Sequence, residues 1–458
     1  MSARTAVVFG AGKMACGLIG HVLARSGFRV QFVARRPEVV EAINRFEGFR
    51  LAIAGQERPL VIRGCSALPL HDERRVTRAV ADADLVFTAV GIDNLAHVTP
   101  AIGAGLFLRS KTRRDDPLNV IACENLPGTG AYLRHQVLAA AAPETALCIE
   151  RVGGFSAAVT RRVMTGGDTR RGELHFSVDS EHGLIVDRTG LRGDLPALDG
   201  MLVTDDFTAI VMRKFFTVNC AQAVAAYLGY REGCEYIHEA VHHPRIRPVV
   251  VAALAESAAA LEAEFPGQKA GIQRDAAEAL ERLSSADTAD TISRVAREPR
   301  RKLSPRERLV GPARLAQRHG LRNEALSRAI AAALAYDAPN DAQAMALQQT
   351  IAAESLEKVL TEDCGLLPHE PLARAVKGHW RVLVAEQLRE PALAPSGLHR
   401  TGAALQDVIL TMVSDLSRQY DPTLVRDALA RVVQEHYAPY APAFAASDLG
   451  RRIPAVAA

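Results

Sequence analysis

The 458-residue sequence has no C-x-x-C pair, and its seven cysteines (Cys16, Cys65, Cys123, Cys148, Cys220, Cys234 and Cys364) are scattered and odd in number. That pattern argues against a disulfide framework and against a cysteine zinc site. It points to free thiols in a reducing compartment, hence to a cytoplasmic protein. No apolar run approaches the ~20 residues that a membrane span requires, so no membrane partner is expected. An excess of one charge is also lacking: 55 Lys and Arg against 52 Asp and Glu leave +3, too little to propose nucleic acid as a partner. The apolar stretch after Arg4 is interrupted by Lys13, and a glycine-rich turn explains it better than a signal peptide does. No repeat recurs at spacings of about 20–50 residues. A hydrophobic share of 48% and a charged share of 23% are those of an ordinary globular protein. The length exceeds one ordinary core, which predicts two domains and an appendage.

Short β-branched runs alternate with helical patterns through the first third. Thr5–Phe9 reads as a strand, Met14–Arg25 as a helix, Arg29–Val33 as a strand and Pro37–Arg45 as a helix. Further strands are expected at Leu85–Ala89, Asn119–Cys123 and Ala146–Ile149. Apolar strands separated by helices predict an α/β domain, a Rossmann-type parallel sheet covered on both faces. From Glu173 to Gly200 the pattern turns to strands and turns, and beyond Thr204 it is almost wholly helical, as in Val249–Phe265 and Glu324–Tyr336. The expected organisation is a nucleotide-binding domain over 1–200, a mostly α-helical domain over 201–384 and a helical extension over 385–458. The extension follows a proline-containing linker and includes a helix start at Asp421-Pro422.

The string VVFGAGKMACG places Gly10, Gly12 and Gly17 between the first strand and the first helix. The first glycine permits a tight turn, and the second lets the backbone approach a pyrophosphate at the helix N-terminus. The third position of the usual fingerprint is Ala15. The second strand ends without the acidic residue that would accept hydrogen bonds from a ribose. It offers Ala34, Arg35 and Arg36 instead, and guanidinium groups suit a 2′-phosphate, so NADP is expected, with NAD as the alternative.

Two further strings carry polar residues suited to chemistry: PLNVIACENLPGTG, with Glu124 and Asn125, and MRKFFTVNCAQAVAAYLGY, with Lys214, Asn219 and Gln222. On one continuous helix at about 100° per residue, Lys214, Asn219 and Gln222 fall within an arc of roughly 140°. A basic run supplies Arg301, Lys302 and Arg308 as a candidate phosphate site; its plain reading is a solvated charge run. The zinc-protease spacing His238-Glu239-x-x-His242 is also present. Pro244 ends that helix at once and no third ligand follows, so no metal is expected.

Together FGAGKMACGLIG, VFTAVG, PLNVIACENLPG, IVDRTGLRGDLP, RKFFTVN and RKLSPRERLVGPARLAQRHGL resemble, in order over roughly residues 5–380, the long-chain mannitol dehydrogenase family of polyol-specific enzymes. The resemblance implies a zinc-independent oxidoreductase that interconverts a polyol, such as mannitol 1-phosphate, and its ketose by hydride transfer. It implies Lys214 as general acid/base, Asn125 and Asn219 as donors to the reacting oxygen, Gln222 as a substrate-orienting group, and Val90, Gly91 and Glu124 at the cofactor. Its partners are then a small-molecule polyol or ketose, free or phosphorylated, in a monomer or small homo-oligomer. The family pattern K-x-x-x-x-N-x-x-H has Gln222 in place of the histidine. Met212 stands for a glutamate, Val159-Thr160-Arg161-Arg162 lacks the family's acid, and Cys16-Gly17 replaces an R-G pair. These departures imply a changed substrate or pH profile rather than lost catalysis. A reductase of a sugar-like ketone in specialised metabolism and a non-catalytic NAD(P)-binding regulator are the alternative readings.

Overall fold

The computed structural model describes residues 4–389 apart from 114–115, 126–127, 161–163, 180–182 and 287–289. Arg161, Arg162 and nearly all of the expected extension 385–458 lie outside the described residues. The chain divides into two compact units between Val211 and Met212, inside the helix Phe207–Phe216, whereas the sequence reading placed a boundary near residue 200.

The strands of the first unit, in chain order, are β1 (Thr5–Phe9), β2 (Arg29–Ala34), β3 (Gly48–Ile53), β4 (Leu60–Arg63), β5 (Cys65–Pro69), β6 (Leu85–Thr88), β7 (Leu118–Ala122), β8 (Gly153–Thr160), β9 (Met164–Arg170), β10 (Glu173–Val178), β11 (Leu184–Asp187) and β12 (Met201–Thr204). Among the described residues they form an eight-stranded sheet, β12-β11-β8-β7-β6-β1-β2-β5, and a four-stranded sheet, β4-β3-β10-β9. The run from β5 to β8 is parallel throughout; β11 joins β8 antiparallel. Ala6 and Val8 of β1 enter one apolar core while Val7 and Phe9 enter the other, so the central strand is buried on both faces. This is the doubly covered parallel sheet that the sequence pattern implies. The chain leaves β1 toward β2 on one side and returns to β6 on the other, which opens a crevice at the carboxyl ends of β1 and β6.

One strand expectation fails. Ala146–Ile149 lies inside the helix Pro143–Val152, which begins with Pro143 in its first turn and Glu144 beside its N-terminus and buries Ile149 and Val152, three residues apart. The strand is the segment that follows, β8, whose eight residues are all buried. The expected helix Met14–Arg25 contains a π-helical turn over Ala15–Gly20. Gly20 lies against the sheet there, where a Cβ would stand 2.9 Å from the Phe32 ring.

In the second unit one helix, Val218–Arg231, is buried on nearly every side and carries the core. The Tyr227 hydroxyl donates to the Ala296 carbonyl at 2.9 Å, and the Tyr230 hydroxyl to Asp337 at 3.0 Å. Both rings meet Tyr336 edge-on. The helix is thereby fixed in rotation as well as in position, which matters for the polar residues at its start.

Two glycines give opposite expectations. At Gly105, in the helix Leu95–Thr112, a Cβ would stand 2.4 Å from the Val80 Cβ, an atom that cannot rotate away. Overpacking of this kind costs about 1–3 kcal/mol, against the ~1 kcal/mol that alanine gains over glycine in a helix. At Gly378, exposed within Pro371–Arg389, a Cβ meets nothing within 4 Å. Differential scanning fluorimetry is expected to show a lower Tm for Gly105→Ala and a slightly higher one for Gly378→Ala, at about 2–4 °C per kcal/mol.

Candidate active site

The chain after β1 must turn sharply to start its helix. Gly10 makes that turn at φ +100°, and a Cβ there would lie 2.6 Å from the Ala89 carbonyl oxygen, so only glycine fits. Its N–H donates to the Val33 carbonyl at 2.8 Å, which ties the turn to β2. Gly12 differs: a Cβ there would meet nothing within 4 Å, so the backbone faces open space at the start of a helix whose first-turn N–H groups lack intrahelical partners. A cavity of about 270 Å³ opens at this point, lined by Gly10, Gly12, Ala34, Arg35, Arg36 and Val90 among others. Its place at the carboxyl edge of the sheet, its glycine floor and its cationic rim fit a dinucleotide.

Arg35 and Arg36 are exposed at the cavity's rim. Arg36 lies 3.8 Å from Glu38, and among the described residues no carboxylate pairs with Arg35. Asn94 and His97, near the start of Leu95–Thr112, line the same cavity. No motif marked them, because strand topology, not spacing, brings them there. Gly17 is buried within the π-helical turn and is not among the lining residues.

Glu124 follows β7 and is 6% exposed. Its two oxygens are held within the protein: Thr88 Oγ1 donates to Oε2 at 2.8 Å and the Val90 N–H to Oε1 at 3.1 Å. Burial raises its pKa, while these donors oppose the rise. Its geometry is that of a clamp joining the turns after β6 and β7. The first of these turns continues through Gly91, at φ +83°. Asn125 is exposed immediately after Glu124.

The residues expected on one helix occupy two. Lys214 lies in Phe207–Phe216, whereas Asn219 and Gln222 lie in Val218–Arg231. Thr217 separates them, with φ −104° and ψ −89° and its hydroxyl bonded back to the Arg213 carbonyl at 2.6 Å. The single arc of roughly 140° calculated for a continuous helix therefore does not apply. Lys214 is half-buried, and among the described residues no carboxylate pairs with it. Its pKa is lowered to about 8, first by desolvation and then by the like charges of Arg308 and Arg282.

Asn219 is 7% exposed, and its amide nitrogen is buried with no hydrogen-bond partner among the described residues. An unsatisfied buried donor costs about 1–3 kcal/mol, and this one stands at the start of the helix that follows the one carrying Lys214. Gln222, one turn further on, donates through Nε2 to Asp290 Oδ2 at 2.7 Å.

The basic run is no solvated surface. Lys302 is 4% and Arg308 6% exposed, around Glu307 at 0%. Arg301 donates to Glu298 at 2.8 Å and to Glu307 at 3.2 Å; Arg308 donates to Glu307 at 2.8 Å. The Lys302 amine is bonded to the Arg297 carbonyl, and its pKa is lowered to about 7 by burial and by Arg301 and Arg308. The Arg308 guanidinium also lies 5.4 Å from the Phe215 ring centre, next in sequence to Lys214. Three basic side chains thus face two carboxylates, with Lys302, Glu307 and Arg308 buried.

The zinc-like spacing is committed elsewhere. Glu239 accepts from the Glu235 and Tyr236 N–H groups at the start of the helix Ile237–His242, and the His242 ring bonds the His238 carbonyl. Among the described residues no group of three or more His, Cys, Asp or Glu side chains could hold a metal. Nor is any helix among them long and apolar enough to cross a membrane.

Residues 4–216 match the family model of the mannitol dehydrogenase Rossmann domain, and residues 206–377 that of the mannitol dehydrogenase C-terminal domain. The chain is 34% identical over 369 residues to mannitol-1-phosphate 5-dehydrogenase of Bacillus velezensis, spanning 80% of this chain and 97% of that one. It is 36% identical over 380 residues to the Brevibacillus brevis protein of the same name, spanning 82% and 98%. The fold is similar to that of Pseudomonas fluorescens mannitol 2-dehydrogenase in ternary complex with NAD and D-mannitol, at a TM-score of 0.65 and 15% identity over 85% of this chain and 93% of that one. D-sorbitol dehydrogenase in substrate-free form gives 0.63 at 14% identity, over the same shares. With both domain models matched in order, and with relatives at this identity covered almost end to end, the chain belongs to the mannitol dehydrogenase family and is a dehydrogenase.

Proposed function

We propose that this dehydrogenase interconverts a polyol phosphate, such as mannitol 1-phosphate, and the corresponding ketose phosphate, with NADP(H) as cofactor and Lys214 as general acid/base. The carrying observation is the desolvated Lys214 amine, with a pKa lowered to about 8, on the helix preceding the buried, unpartnered amide of Asn219. A general acid/base works best when its pKa lies near the working pH. An amide donor already stripped of water stabilises a developing alkoxide without further reorganisation.

In the oxidative direction the Lys214 amine takes the hydroxyl proton of the substrate while Asn219 donates to the same oxygen; Asn125 is the second donor in this reading. The bound nicotinamide supplies the hydride acceptor. Gln222 orients a neighbouring hydroxyl. Relatives named for mannitol 1-phosphate and the cluster of Arg301, Lys302 and Arg308 with Glu298 and Glu307, which becomes net cationic when Lys302 takes up a proton, support a phosphorylated substrate. A phosphate there would restore the charge of the Lys302 amine, which burial and two guanidinium groups suppress. The glycine-floored cavity, and the NAD bound by the Pseudomonas fluorescens enzyme, support a nicotinamide cofactor. Arg35, with no carboxylate partner among the described residues, favours NADP over NAD.

Lys214→Ala is expected to lower kcat by about 10²–10⁴-fold in both directions, with the NADPH dissociation constant, read by fluorescence, unchanged. In the wild-type enzyme, kcat/KM for polyol oxidation is expected to rise with pH to a plateau above about 8, because in this reading the neutral amine is the base. For ketose reduction it falls above the same value, because the ammonium is the acid. Full turnover by the alanine variant would refute the assignment. The cofactor reading has its own assay. The wild type is expected to prefer NADPH by kcat/KM, and Arg35→Ala with Arg36→Ala should cost about tenfold or more for NADPH with little change for NADH. A wild-type preference for NADH would overturn it.

A further inference from the structure

Gln222 and Asp290 stand 68 positions apart in sequence, yet the Gln222 amide nitrogen lies 2.7 Å from Asp290 Oδ2. A carboxylate only accepts hydrogen bonds, so the nitrogen end of the amide must face it, and the carbonyl oxygen points the other way. Among the described residues that oxygen has no hydrogen-bond partner. Asp290 is itself well anchored. Its carbonyl accepts the Ile237 N–H at 2.9 Å, the Ile292 N–H bonds the Glu235 carbonyl at 2.8 Å, and Tyr236 and Thr291 form an antiparallel bridge between them. Its other oxygen, Oδ1, binds Arg294. The Asp290 backbone is therefore tied on two sides, and the carboxylate that holds Gln222 is itself held by a guanidinium.

We propose that Asp290 is a positioning residue. By holding the Gln222 amide nitrogen, it presents the Gln222 carbonyl oxygen as a fixed acceptor and so selects substrates with a hydroxyl close to the reacting carbon. The proposal rests on the reading above that Gln222 faces the substrate. Residues three apart on a helix have Cβ atoms about 5–6 Å apart, so Asn219 offers a donor and Gln222 an acceptor separated by a carbon or two of an open-chain sugar. A ketone without such a hydroxyl would leave the Gln222 oxygen unpaired. A freely rotating amide would accept either kind of group, whereas one held by Asp290 accepts only a donor.

The test is a double-mutant cycle on the full-length enzyme, with mannitol 1-phosphate and fructose 6-phosphate as probes. Asp290→Ala and Gln222→Ala are each expected to raise KM by up to about tenfold, the net worth of one hydrogen bond between neutral groups, with a smaller change in kcat and an unchanged NADPH dissociation constant. The double variant should be no worse than Gln222→Ala alone. Asp290→Asn, which keeps one acceptor oxygen, should recover most of the loss, and Arg294→Ala, which removes one anchor of the carboxylate but leaves the Gln222 bond, should raise KM by clearly less than Asp290→Ala does. An equal KM penalty for Asp290→Ala in the Gln222→Ala background overturns the proposal. So does an equal penalty for Arg294→Ala, since the fold of the cluster would then be the cause. The Gln222 side-chain amide resonances read the bond without any substrate: they should be protected from exchange in the wild type and averaged in Asp290→Ala. Averaging in the wild type defeats the proposal even where neither sugar is turned over. Absence of turnover alone, or full turnover by Lys214→Ala, falls instead on the reading beneath it.

Discussion

An amine held partly out of water, with no carboxylate beside it among the described residues, is the constraint on which the proposed chemistry of the second unit depends. Burial penalises the ammonium form of Lys214, and the guanidinium groups of Arg308 and Arg282 add to the penalty. The surrounding structure holds this arrangement in place. The Glu307 carboxylate fixes Arg308, and Tyr227 and Tyr230 pin the helix that carries Asn219 and Gln222. The unpartnered Asn219 amide is a further cost, at the start of the next helix. Both costs have a common explanation if an oxygen of a reacting alcohol or ketone is what relieves them.

The first unit meets a different demand, backbone exposure. Gly10 can approach Ala89 because it has no Cβ, and Gly12 leaves its own backbone bare toward the cavity. The sheet supplies the rest, since the neighbours that follow β1 in the chain, β2 and later β6, lie on opposite sides of it, so the connections part at its carboxyl edge. Glu124 ties the turns after β6 and β7 by giving up both carboxylate oxygens to Thr88 and Val90. What it fixes is therefore the shape of these two turns.

Much of this was legible in the sequence, and the parts that were not share a cause. Strands buried on both faces announce themselves as apolar runs, and β1 and β2 stand where those runs lie. The glycine turn was legible because φ > 0 and close approach leave little choice of residue. Ala146–Ile149 misled because a four-residue apolar stretch does not distinguish strand from helix; Pro143 and Glu144 just upstream were the better guide. The break at Thr217 carries no glycine or proline, so nothing in the periodicity revealed that Lys214 and Asn219 sit on separate helices. The basic run at Arg301–Arg308 looked solvated because its burial comes from the packing of other helices. Asp290 was invisible for the same reason: its meaning lies in a contact 68 residues away.

The central claim, that Lys214 titrates within reach of neutral pH, is best tested on the amine itself. Heteronuclear NMR of lysine-labelled protein, with the Lys214 signal assigned by its loss in Lys214→Arg, would follow its ionisation directly. A midpoint near pH 8 is the predicted result. A midpoint at or above the ordinary lysine value of about 10.4 would contradict the account, because an amine still fully charged at neutral pH could not serve as the base.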